Sequence, residues 1–268
     1  MCGGVLLGKF AAVMDTELKE RLDSLVTKYN IPEFAENDPV QFPKRYSDGR
    51  DIEISALLTS TISWGRRPMI LANAEKLHGI LGHEPLRFVL EGDIEAIGED
   101  NIHRTFFGRH LRFYLRGLRE IYTRYGSLEA FAHHISSAKD DAPAWHLAEE
   151  LNKVLHSANE NAKFDGRSRC LPDDCRNTAL KRFNMALRWL VRNDGIVDMG
   201  VWSEFKPSML YIPLDVHSAN TSRALGLLTR KQNDRKAVEE LTFKLREFNP
   251  DDPAVYDFAL FGAGVSGS

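Results

Sequence analysis

Cysteine is scarce in this chain. Its three residues, Cys2, Cys170 and Cys175, include no Cys-x-x-Cys pair. An odd, unpatterned set of thiols argues against a disulfide framework and a zinc ribbon, and it cannot supply the four thiolates of an iron–sulfur cluster. Long apolar runs are also lacking: no stretch approaches the roughly 20 residues that a membrane-spanning helix needs. The apolar start Val5-Leu6-Leu7-Gly8-Lys9-Phe10-Ala11-Ala12-Val13-Met14 has neither a basic leader nor a convincing cleavage site. A cytoplasmic protein with no membrane partner is therefore expected. The nine histidines are scattered, and the adjacent pair His133-His134 projects to different helix faces, about 100° apart. No metal site and no cofactor are expected. Strand-length alternation of apolar and polar residues is missing too.

What is present is helical periodicity over 268 residues, 43% of them hydrophobic, enough to bury a substantial core. Leu18, Leu22, Leu25, Val26 and Tyr29 form one amphipathic stripe over 15–29. Segment 51–63 is apolar nearly all round after Asp51 and Glu53, which predicts a central buried helix ending at Trp64-Gly65, and Pro68 opens the next, 67–81. Further helices are predicted at 109–125, 127–136, 143–156, 176–193, 216–228, 234–247 and 252–262. The expectation is an all-α protein and a monomer. It comprises a flexible extension over 1–14, then one domain of two helical lobes over 15–268, with a polar loop or insertion near 157–175.

The net charge of −3 gives no reason by itself to expect a nucleic-acid partner, but its distribution does. Six arginines stand against one acid between 104 and 124. Eight basic residues stand against three acids between 163 and 192. On helix 109–125, Arg109, Arg112, Arg116 and Arg119 line the face opposite the apolar stripe, either as an ordinary solvated face or as a surface for a polyanion.

Two residues could carry chemistry. Lys181 sits in an apolar helix, on one face with Met185 and Arg188. Its amine attacks carbon only when neutral, which calls for desolvation or a neighbouring cation such as Arg182 or Arg188. The plainer reading is a lysine whose stem covers apolar surface while its ammonium reaches water. Asp215 follows Pro213 and precedes Val216-His217-Ser218, the place of an N-cap. A carboxylate fixed there could also stabilise a cationic sugar or move protons.

Over residues 15–265 the chain resembles a bacterial family known only as a domain of unknown function. That family is more distantly similar to the helix-hairpin-helix DNA glycosylases, especially the archaeal 8-oxoguanine branch. The likeness rests on Pro213-Leu214-Asp215-Val216-His217 with Arg223, on the helix Arg109 to Gly126, and on Asp252-Pro253 through Gly262. It implies a catalytic aspartate at 215 and a lysine on the preceding helix. Where that superfamily has a glycine-rich hairpin, this chain has Leu171-Pro172-Asp173-Asp174-Cys175, whose aspartates would repel a phosphate. In that register Asn177 takes the lysine's place; in the alternative, Lys181 does.

The expected function is base excision on double-stranded DNA, with Schiff-base lyase chemistry on a damaged purine. Lys181 and Asp215 are the candidate catalytic pair. Arg66, Arg67, Arg109, Arg112, Arg116, Arg182, Arg188, His217 and Arg223 are candidate DNA contacts, and Trp64, Phe183 and Trp189 the aromatics for a flipped base. The alternatives are a non-catalytic nucleic-acid-binding module and a protein-interaction scaffold.

Overall fold

The computed structural model describes residues 3–135, 143–162 and 169–266. The middle of the expected polar loop, 163–168, and residues 1 and 2 of the expected extension lie outside the described residues. In chain order the helices are α1 (Gly3–Tyr29), α2 (Pro32–Glu36), α3 (Gly49–Thr61), α4 (Arg67–Ile80), α5 (Pro85–Glu91), α6 (Gly108–Tyr125), α7 (Leu128–Ile135), α8 (Pro143–Ser157), α9 (Lys181–Val191), α10 (Val216–Ala224), α11 (Arg235–Phe248) and α12 (Tyr256–Ser266). Strands β1 (Asn101–His103) and β2 (Phe106–Phe107) form an antiparallel hairpin between α5 and α6. The all-α class holds. The hairpin is too short to show an alternating pattern in the sequence. No helix among the described residues is long and apolar enough to cross a membrane.

Local chemistry sets the helix boundaries. Asp48 caps α3 by accepting the Arg50 N–H at 2.8 Å, and Asp234 caps α11 at Ala237. Gly126, at φ +81°, ends α6 in the left-handed conformation that glycine tolerates. Several boundaries differ from the sequence expectation: α10 ends at Ala224 rather than 228, and α12 runs Tyr256–Ser266 rather than 252–262. The backbone of α1 is helical from Gly3, through residues expected as an extension. Helix α9 starts at Lys181 rather than 176, because Leu180 is left-handed at φ +47° and residues 176–178 are drawn elsewhere. Asp174 accepts the Arg176 N–H, and Thr178 bridges to Asp234 ahead of α11.

The buried apolar residues form one cluster that extends from Leu22 on α1 to Leu260 on α12. Helix α3, buried from Ile52 to Thr61, packs against α9 through its centre. Its Glu53 carboxylate accepts hydrogen bonds from Tyr122, Trp202 and the Leu128 and Glu129 amides at 2.7–2.9 Å, tying α3 to α6, α7 and the 202 loop. At the other end, α12 packs on both α1 and α10. A Cβ on Gly262 would lie 2.3 Å from the Tyr29 ring, and one on Gly264 would lie 2.8 Å from Thr221 Oγ1. These close approaches fix α12 beside the start of α10.

Candidate functional site

The structure draws Lys181 and Asp215 toward one buried carboxylate. Asp215 caps α10, accepting the Ser218 N–H at 2.8 Å, and the Ser218 hydroxyl in turn donates to Asp257 on α12 at 3.4 Å. Arg188, two turns along α9 from Lys181, is ion-paired with the other oxygen of Asp257. Burial pushes the Asp257 carboxyl up to about 6. The Arg188 guanidinium and, less strongly, Lys181 pull against that, while the negative charges of Asp215 and Asp198 add to it. Lys181 and Asp215 therefore both lie within electrostatic reach of Asp257, across 34 residues of sequence. Among the described residues Lys181 has no hydrogen bond or ion pair, and its side chain is half-buried.

A second carboxylate faces the same place. Asp38, before the short turn Pro39–Gln41, accepts the Val40 N–H at 3.1 Å and lies 3.9 Å from the Arg67 guanidinium. Its side chain is only 13% exposed. Burial raises its pKa, opposed by the Val40 N–H and by the charges of Arg67, Arg188 and Lys181. Beside it the half-buried Phe261 ring carries Arg67 over its face, 5.8 Å from the centroid, and meets the exposed His217 ring edge-on at 6.3 Å. Phe261 is one helical turn beyond Asp257, so the two share a face of α12. Asp38, Asp257 and Phe261 were not among the sequence candidates. Asp257 had a usable signal: it is the sole charged residue of the apolar helix Tyr256–Ser266.

A small cavity of about 110 Å³ opens beside Lys181 and is lined by Phe183, Thr61, Cys170 and Arg182, among others. Of the three expected base-pocket aromatics, Phe183 reaches it. Trp64 is edge-on to His103 at 4.5 Å, with the Arg182 guanidinium over its ring at 4.8 Å. Trp189 is fully buried on the core side of α9, with no acceptor for its indole N–H among the described residues. It is a core residue.

Several expected DNA contacts are engaged within the fold. Arg112 is bonded to the Ile97 carbonyl and to Glu99, and Arg109 reaches Glu99 at 3.5 Å. Arg116 makes a two-pronged pair with Glu95 at 2.6 and 2.8 Å and bonds the Asn159 side chain. Arg119 donates to the carbonyls of Val89 and Gly92, both at 2.6 Å. The stripe on α6 thus clamps the 88–99 segment. Arg188 is buried in a network with Arg192, Asp198, Asp252 and Asp257. Burial opposes its charge, but Asp198 and Asp257 outweigh this and hold its pKa above the ordinary value. Arg182 bonds the Thr61 carbonyl at the end of α3. Arg223 donates to the Arg230 and Lys231 carbonyls and to Asn233 at 2.6–3.0 Å, fixing the loop after α10. Arg66, Arg67 and His217 stay at the surface near the cluster.

Of the two registers for the lysine, Asn177 is exposed, bonded to Asp174 at 2.9 Å and tied through its carbonyl to Arg235. It takes no part in the carboxylate cluster, whereas Lys181 does.

The model of a family described as a protein of unknown function, DUF2400, matches residues 38–266, most of the chain, and the chain belongs to that family. No curated protein and no solved structure matches it, and the resemblance to helix-hairpin-helix glycosylases finds no counterpart in these comparisons.

Proposed function

We propose that the chain is a DNA base-excision enzyme whose lysine forms an imine with the sugar of a damaged nucleotide. One observation carries the reading: Lys181, from the start of α9, and Asp215, from the start of α10, converge on the buried carboxyl of Asp257. In the proposed reaction the neutral Lys181 Nζ attacks C1′ of the extruded nucleotide. The glycosidic C–N bond breaks, and its electron pair leaves with the base, which takes a proton. Opening of the C1′–O4′ bond sends its electron pair to O4′, which is also protonated, and leaves an iminium between C1′ and Nζ. Loss of a C2′ proton then expels the 3′ phosphate.

The chain's carboxyl groups suit these proton movements. Asp215, fixed by its capping bond, can accept the proton that Nζ gives up and can face the positive charge that develops at C1′. Asp257, with a pKa of about 6, can hold a proton near neutral pH and return it to O4′. Phe261, half-buried one turn away, would stack the displaced base only if that base takes the place of Arg67 over the ring.

The test is borohydride trapping on duplex DNA carrying an abasic site or 8-oxoguanine, with wild type and Lys181→Gln side by side. A reduced covalent adduct that disappears in the variant is expected. An undiminished adduct in Lys181→Gln contradicts the assignment. Salt-sensitive binding with no adduct on either substrate favours a non-catalytic nucleic-acid-binding module.

A further inference from the structure

The basic stretch 104–124 looks in sequence like one surface, yet its first arginine behaves unlike Arg109, Arg112, Arg116 and Arg119 on α6. Arg104 is at the tip of the β1–β2 hairpin, exposed, with no hydrogen bond or ion pair from its side chain among the described residues. Its backbone is left-handed at φ +50°, a conformation that costs a non-glycine residue of order 1 kcal/mol and persists only where surrounding structure enforces it.

His103 provides that enforcement. One ring nitrogen is 2.8 Å from the Trp64 carbonyl, the other 2.9 Å from the Asn73 amide, and the ring meets Trp64 edge-on. The hairpin is thereby pinned onto the turn that ends α3. At that turn Gly65 has φ +105°, and a Cβ there would lie 2.8 Å from Arg104 Nη1 and 2.9 Å from Met69 Cε. Glycine suits the backbone angle, and the tip of the Arg104 side chain lies against it. The next residue, Arg66, is exposed, and its side chain also has no hydrogen bond or ion pair among the described residues. Burial first, then the charges of Arg104 and Arg182, keep His103 below its ordinary pKa, so those two cations both lie within electrostatic reach of its ring. Among the described residues no carboxylate is paired with Arg66 or Arg104, whereas Glu95 and Glu99 neutralise Arg109, Arg112 and Arg116. One residue further, Arg67 leads to Asp38 and so to the Lys181 cluster.

We propose that Arg66 and Arg104, brought together by the Gly65 turn and the pinned hairpin, form the surface that holds the phosphate backbone of double-stranded DNA beside the Lys181 site. The inference rests on the base-excision reading for its choice of polyanion. Exposed guanidinium groups without carboxylate partners are free to bond phosphate oxygens, which leaves the α6 stripe to its structural task.

The experiment compares wild type, the double variant Arg66→Gln/Arg104→Gln, the charge-preserving Arg66→Lys/Arg104→Lys, and Arg87→Gln as a control on α5. Binding to a duplex with a stable abasic-site analogue is followed by fluorescence anisotropy from 50 to 300 mM salt, after circular dichroism melting confirms equal folding. The glutamine pair is expected to weaken binding roughly tenfold or more at low salt and to lower the slope of log affinity against log salt by about 2, near 0.9 per phosphate lost. The lysine pair should restore most of both, and Arg87→Gln should match wild type. An unchanged affinity and slope in the glutamine pair overturns the surface, as does a wild type that binds no DNA. If the slope falls as expected but wild type gives no borohydride adduct, the surface stands and the lyase reading fails.

Discussion

The two arginine-rich stretches, 104–124 and 163–192, differ in how the fold uses them. On α6 the guanidinium groups reach outward to backbone carbonyls and exposed glutamates of the 88–99 segment. On α9 and just beyond it, Arg188 and Arg192 turn inward, each about 4% exposed or less, and meet Asp198, Asp252 and Asp257. In each stretch some cation has no side-chain hydrogen bond or ion pair among the described residues, Arg104 and Arg124 in one and Lys181 in the other. The excess of positive charge counted along a sequence is therefore a poor measure of charge available to a ligand. Partners contributed by distant elements consume most of it.

If the contrast is right, truncating an inward arginine costs far more than truncating an outward one. Arg188→Ala leaves Asp257 and Asp198 short of a buried partner and is expected to cost about 3–5 kcal/mol. Arg112→Ala removes a partly solvated clamp and should cost about 1 kcal/mol. Urea unfolding at pH 7 measures both, and equal losses would break the distinction.

The two regions should also respond to pH with opposite sign. Asp257 has its folded pKa raised by burial to about 6, so the folded state binds the extra proton between the unfolded value and 6. Its contribution to stability is present at low pH and is lost as pH rises through about 6, at most about 3 kcal/mol. Glu95 is held below its ordinary range by the Arg116 hydrogen bonds, so its smaller contribution is present above the unfolded value and is lost as pH falls. The cost of Asp257→Asn relative to wild type should thus be larger at pH 4 than at pH 7, and that of Glu95→Gln larger at pH 7. Parallel trends in urea midpoints would contradict this.

At Asp215 the structural and chemical roles can be separated. Asp215→Ala should lose about 1 kcal/mol with the N-cap, whereas Asp215→Ser keeps a cap and most of that stability. Both should lose adduct formation, because neither has a carboxylate. A serine variant that traps DNA as well as wild type would reduce Asp215 to a cap. The smallest stability effect is expected for Lys181→Gln, within about 0.5 kcal/mol, since no polar partner is lost.

Much of the helical framework was legible in the sequence, because long amphipathic stripes such as Leu111 to Tyr125 report their own burial. The candidates Lys181 and Asp215 stood out for another reason: a cation in an apolar helix and a carboxylate after a proline are locally unusual. Their meeting point was not. Asp257 is 42 residues beyond Asp215, and its carboxyl reaches the site only because Gly262 and Gly264 let α12 close on α1 and α10. The fate of Arg112, Arg116 and Arg188 was equally hidden, since periodicity places a side chain on a face but does not say which carbonyl or carboxylate waits there. Trp189 was misread for the same reason, as a candidate for a base pocket when it faces the core.

The central claim is that the amine of Lys181 bonds to a DNA sugar. Its most direct test is to reduce the complex with abasic duplex using borohydride, digest it, and locate the modified residue by peptide mass spectrometry. The account predicts a single nucleotide-bearing peptide modified at Lys181, with no tryptic cleavage after that residue. A modification at another lysine or at the N-terminal amine, with Lys181 intact, would contradict it.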